Sequence, residues 1–90
     1  MLSVYKYPFK FDSKISLRMV KGAKILKFDV QDHTPTVWAL VNAEARGGED
    51  RNFILLGTGH TTDIDEFHLS FIDSVLTHEG KFVWHLFEVL

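Results

Sequence analysis

Apolar and polar side chains alternate along most of the chain, and this period of two constrains the fold more than any other feature of the sequence. In "KILKFDVQ" Leu26, Phe28 and Val30 fall on one face while Lys27, Asp29 and Gln31 fall on the other. "ISLRM" repeats the pattern with Ile15, Leu17 and Met19. Tyr5, Tyr7, Phe9 and Phe11 share a face opposite Lys6 and Lys10. Pro8 lacks the N–H that a sheet ladder needs, so this strand belongs at an edge or bends there. "TVWALVN" and "NFILLGT" are apolar on both faces, as central or covered strands are. "LSFIDSVLT" and "KFVWHLFEV" complete a set of about seven short strands.

The punctuation between these runs is turn chemistry. Gly22 marks one turn, Asp32 and Pro35 another, and "EARGGEDR" reads as a polar, glycine-bearing loop of the kind that stays mobile. Helix signals are confined to "TTDIDEFHLSFI", where Thr62 or Asp63 would cap a short helix with Asp65 and Glu66 in its first turn. The expectation is a mainly β single domain over residues 1–90: a small antiparallel β-sandwich or partly open barrel with at most one short helix.

Composition narrows the function classes. With no cysteine among 90 residues there is no disulfide and no thiolate metal site. Ten basic and twelve acidic residues leave a formal net charge of -2, which argues against generic DNA binding while leaving room for a local basic patch. No apolar run approaches the ~20 residues of a membrane-crossing helix, and the first residues lack the pattern of a signal peptide.

"HEG" between the last two strands fits a three-residue hairpin loop with Gly80 in the left-handed position. Counting outward, Thr77 then faces Lys81, Val75 faces Val83, Asp73 faces His85, Phe71 faces Phe87 and Leu69 faces Val89. Both faces of the hairpin are largely apolar. One face is therefore expected to meet a second subunit in a two-fold homo-oligomer, with Phe71, Asp73, Val75, Val83, His85 and Phe87 as interface candidates. Asp73 beside His85 would favour the charged imidazole and orient it for acid/base work, or form a satisfied polar pair within that interface.

"GTGHTTDIDEFH", Gly57 to His68, is the densest polar stretch. Its glycines lack the third member and following helix of a dinucleotide fingerprint, and no Walker loop is present. His60, Asp63, Asp65 and His68 are acceptable metal ligands in type, but no HxH or HExxH spacing or calcium-loop pattern joins them, so no metal and no other cofactor is expected. Two readings stay open. The stretch is a polar link between strands, or the amides and hydroxyls of Gly57, Thr58, Gly59, His60, Thr61 and Thr62 hold a small anion. Nucleophilic catalysis has no motif around any serine, and no catalytic residue is assigned.

"KYP", "GAKIL", "WALV", "GTGH" and "GKFVWHLFE", in that order and spacing, give the chain its resemblance to a family of small uncharacterised proteins of tailed phages and prophages. That resemblance implies a viral origin and a bacterial host cytoplasm as the setting, and it implies no catalytic residues. Thr61 after "GTGH" and Asp73 depart from the family pattern, which weakens an Asp73–His85 mechanism common to the family. The resulting expectation is a non-enzymatic accessory protein that binds and inhibits or sequesters a bacterial host component by protein–protein contact, counteracting antiviral defence. One alternative is an oligomeric sponge for a nucleotide signal that uses "GTGHTT", an aromatic and a basic residue such as Lys21, Lys24 or Arg51. A small hydrolase using His60 or His85 is the other.

Overall fold

The structure is a computed structural model that describes residues 1–90. Seven strands run in the order β1 (Leu2–Pro8), β2 (Lys14–Val20), β3 (Lys24–Gln31), β4 (Thr34–Asn42), β5 (Gly48–Gly57), β6 (Leu69–Thr77) and β7 (Phe82–Val89). They form two antiparallel sheets, one of order β1-β4-β3 and one of order β2-β5-β7-β6. The two runs apolar on both faces, β4 and β5, are interior strands of their sheets, and the proline-bearing β1 is an edge strand ending at Pro8. No helix is long and apolar enough to cross a membrane.

The inward alternation of each sheet supplies the core. Ile15, Leu17 and Met19 from β2, Val37, Ala39 and Val41 from β4, and Phe53 and Leu55 from β5 are buried together with Phe28, Val75 and Leu86. Tyr7 and Phe9 pack against that cluster. Tyr5 and Phe11, expected on the same face, are 40% and 44% exposed, because the strand ends at Pro8 and Tyr5 stands on an edge strand.

Strict alternation fails at two bulges. In β3 the register against β4 shifts between Ile25 and Lys27, so Ile25 and Phe28 turn inward while Leu26 is 52% exposed. The expected Leu26 face is thus corrected by one inserted residue. In β6 the register shifts between Phe71 and Asp73, which sets Ile72 against the core. The hairpin loop accounts for this second bulge. His78, Glu79 and Gly80 all adopt positive φ (55°, 61° and 83°), but the turn closes through Lys81, whose N–H donates to the His78 carbonyl, so Thr77 pairs with Phe82 rather than with Lys81. Every pair up to Asp73 is offset by one from the three-residue expectation, and the bulge restores Phe71 opposite Phe87 and Leu69 opposite Val89.

Two loops also differ from the expected ones. "EARGGEDR" is only partly a loop, because β5 begins at Gly48. Within it Asp50 pairs with Arg18, and Glu49 accepts from the Gly22 N–H. The expected short helix is a single 3-10 turn, Glu66–His68, capped by Asp65, whose side chain accepts from the Phe67 N–H at 2.9 Å. Thr62 and Asp63 lie ahead of that cap.

Candidate functional site

The "GTGH" segment closes on itself where β5 ends. The Gly57 N–H donates to His60 Nδ1 at 3.1 Å, and the His60 N–H donates back to the Gly57 carbonyl at 2.9 Å. This reciprocal pair brings the imidazole over the Gly57 backbone and edge-on to Trp84, with ring centroids 5.9 Å apart. A Cβ on Gly57 would sit 2.9 Å from His60 Cε1, 3.0 Å from Nδ1 and 3.2 Å from Trp84 Cζ3, so only glycine permits the approach. Gly59 is required for a different reason: its φ of +92° lies in the region that side chains disfavour, although open space surrounds it. Between them Thr58 is held by its N–H to the Val83 carbonyl at 3.1 Å, one step beyond the Gly57–Trp84 pair of the β5–β7 ladder.

That placement delivers the Thr58 side chain to His85. Thr58 Oγ1 lies 2.8 Å from His85 Nε2, and His85 Nδ1 lies 2.7 Å from Ser74 Oγ. A hydroxyl–imidazole–hydroxyl chain thus crosses β5, β7 and β6. Both ring nitrogens are engaged, and the chain has two self-consistent directions. If Ser74 donates to Nδ1, then Nε2–H donates to Thr58 and the Thr58 proton points outward. If Thr58 donates to Nε2, then Nδ1–H donates to Ser74.

The expected Asp73–His85 pair does not form. The four-residue turn puts Ser74 opposite His85 and Asp73 opposite Leu86. The Asp73 carboxylate instead accepts from the Ser74 N–H at 2.8 Å and from the Phe28 N–H at 3.5 Å, joining β6 to β3 of the other sheet. The other interface candidates also separate. Val75 is 6% exposed and belongs to the core, whereas Phe71 is 58% exposed with its ring edge-on to Phe87, and Val83, His85 and Phe87 are half-buried on the outer face.

Beside Thr58 opens a cleft of about 640 Å³ whose lining includes Thr58, His60, His78, Lys81, Phe82 and Trp84. Trp84 is fixed in its wall by Nε1–H donation to Thr77 Oγ1 at 3.0 Å and by contact with Phe11. Phe82 is 52% exposed and lies 6.5 Å from Trp84, centroid to centroid, with the rings 31° from parallel. No carboxylate lines the cleft, and Lys81 supplies a full positive charge. Thr61 and Thr62 are not part of it. They line a separate depression with Lys14, Leu56, Asp63 and Ile64 on the outer face of the four-stranded sheet. His60, Asp63, Asp65 and His68 do not gather into a group of three or more metal-ligating side chains.

The basic residues expected to serve an anion lie elsewhere. Arg51 is consumed by Glu88, with Nε–Oε2 at 2.6 Å and Nη2–Oε1 at 2.7 Å, and by the Ala23 carbonyl. The hydrogen-bonded Glu88 carboxylate raises the guanidinium above its ordinary value against the opposing effect of burial. Lys21 and Lys24 flank the β2–β3 turn, outside the cleft. Lys81, Phe82 and Ser74 were not singled out by sequence reasoning. The available signal was a lysine directly after the left-handed Gly80, and it becomes meaningful only once the turn has four residues.

A family model described as a domain of unknown function (DUF7352) covers residues 1–90. The chain belongs to that family. Membership of DUF7352 spans both sheets and every residue of the cleft, and it assigns no activity. No curated protein and no solved structure matches the chain.

Proposed function

We propose that this DUF7352 chain is a phage-encoded accessory protein that acts by binding, without turnover, in the bacterial host cytoplasm, and that it sequesters a small molecule in the cleft at the open end of β5 and β7. The observation that carries this reading is the cleft itself. It has the size of a small-ligand site, an aromatic wall from Trp84 and Phe82, and convergent polar groups from Thr58, His60 and Lys81. Gly57, Thr58 and Trp84 are held in its walls by hydrogen bonds, so ordering that part of the lining on binding costs little. The test is a native mass spectrum of gently purified protein expressed in phage-infected bacteria, followed by denaturation and identification of released small molecules. A stoichiometric ligand whose loss perturbs the amide signals of Thr58, His60 and Trp84 supports the reading. A ligand-free protein whose cleft signals ignore a broad metabolite library sinks it.

A second reading, inhibition of a host protein by direct contact, or self-association into a two-fold dimer, draws on a different observation. Phe71 and Leu76 are 58% and 66% exposed on the outer face of β6, next to Phe87 and Val83 of β7. An exposed apolar group on an edge strand suits a protein partner. Sedimentation velocity of wild type and Leu76→Glu distinguishes these outcomes. A wild-type dimer abolished by the substitution indicates self-association. A wild-type monomer leaves the face to a host protein, and affinity capture that is lost in Leu76→Glu is then the required result.

A further inference from the structure

We propose that the ligand class of the cleft is a nucleoside phosphate, with its base against Phe82 and Trp84 and its phosphate between Lys81 and the Thr58 hydroxyl. This inference rests on the cleft being a ligand site and adds the chemistry of what fills it. Three observations converge on an anion attached to a flat ring. The lining carries one lysine and two imidazoles and no carboxylate, so its electrostatics oppose those of a chain whose formal net charge is -2. Phe82, with the His78 ring perpendicular to it at 5.1 Å, still leaves half of its surface open beside Trp84, aromatic surface that core packing does not use. The Ser74–His85–Thr58 chain can run entirely toward the ligand: Ser74 O–H to Nδ1, Nε2–H to Thr58 Oγ1, and Thr58 O–H to a phosphate oxygen.

The direction of that chain makes the inference specific. A phosphate oxygen accepts only, so Thr58 must donate to it, and a threonine has a single proton. Thr58 therefore cannot also donate to His85, and the neutral imidazole is fixed as the Nε2–H tautomer. A site that activated Thr58 as a nucleophile would need the reverse order, with Nε2 unprotonated and accepting from Thr58. The two chemistries thus predict opposite tautomers of one histidine.

The experiment titrates AMP, GMP, CMP, UMP, adenosine and inorganic phosphate into the full chain, read by calorimetry and by nitrogen-15 shifts of the histidine rings. The expected result is binding of at least one nucleoside monophosphate roughly tenfold or more tighter than adenosine or phosphate alone, as a charge-assisted hydrogen bond implies. In that complex His85 is expected to carry the Nε2–H signature. Lys81→Ala should bring the monophosphate down to the level of adenosine and leave adenosine unchanged, while Phe82→Ala weakens both. Equal binding of AMP and adenosine, binding of phosphate as tight as that of AMP, or an Nδ1–H signature for His85 overturns the nucleotide assignment. If no nucleotide binds but other metabolites shift the Gly57–His60 and Trp84 signals, the nucleotide assignment falls and the cleft remains a ligand site. If nothing shifts them, both fall.

Discussion

Replacing Gly57 with alanine tests the architecture of the site at its tightest point. The new methyl would stand 2.9 Å and 3.0 Å from two His60 ring atoms and 3.2 Å from Trp84 Cζ3, all inside ordinary carbon contact of about 3.5 Å. Gly57 keeps its place in the ladder opposite Trp84, so the imidazole is the group that must leave. Its departure forfeits the 3.1 Å hydrogen bond from the Gly57 N–H and leaves that buried donor without a partner, a loss of about 1–3 kcal/mol. At ~4–8 °C per kcal/mol for a domain of this size, melting should fall by about 5–20 °C. Thermal unfolding followed by tryptophan fluorescence reads the stability, and the His60 Nδ1 nitrogen-15 shift reads the lost bond. The cause can be separated from a general intolerance of side chains by adding His60→Ala, which removes the ring that clashes. The double variant should then lose less than the two single losses added together. A Gly57→Ala protein within 0.5 kcal/mol of wild type, with the His60 shift unchanged, would refute the steric account.

Gly59→Ala should lower stability by only about 1 kcal/mol in the same melt, because its cost is backbone conformation at φ +92° with no neighbour to displace. Glu88→Ala, which leaves Arg51 unpaired at 17% side-chain exposure, should cost about 3 kcal/mol or more in urea unfolding, whereas Arg51→Met with Glu88→Leu should recover most of it. Asp73→Asn keeps an acceptor for only one of the Ser74 and Phe28 amides, yet should leave the His85 ring shifts unaltered, while a carboxylate that oriented His85 would move them. Phe28→Ala should cost about 3–5 kcal/mol and Leu26→Lys next to nothing, a contrast that strict alternation along β3 would not produce.

The strand count and the sheet architecture were legible because burial in a sheet leaves a mark at every second residue. Ile15, Leu17 and Met19 carry it without interruption, and all three are in the core. β4 and β5, apolar on both faces, read as interior strands, and Pro8 read as an edge because its missing N–H leaves a gap in a sheet ladder. What the pattern could not carry is a change of phase. In "KILKF" both Ile25 and Leu26 are apolar, so side-chain chemistry alone gives no reason to turn one inward and the other out. The choice is made by the bulge, which depends on the pairing with β4 and so on residues distant in the chain.

The candidate site shows the same limit at higher stakes. Gly57 to His60 is open in sequence between a polar link and an anion cradle, and neither reading contains the close approach that the structure shows, in which the segment's own histidine and Trp84 press on Gly57. His85 is expected to pair with Asp73, but the partner depends on the length of the turn. A three-residue loop gives it Asp73, and a four-residue loop gives it Ser74. Nothing in "THEGKF" decides between these loops by composition, because Gly80 is left-handed in either, and the deciding fact is that His78 and Glu79 also take positive φ. One residue of turn length therefore changes a carboxylate–imidazole pair into a hydroxyl–imidazole–hydroxyl chain that reaches across β7 to Thr58. The same residue brings Lys81 to the mouth of the cleft. The chemistry of the site is set by the hairpin, and Thr58 and His85, 27 positions apart, become a single site because β5 and β7 are neighbours in one sheet.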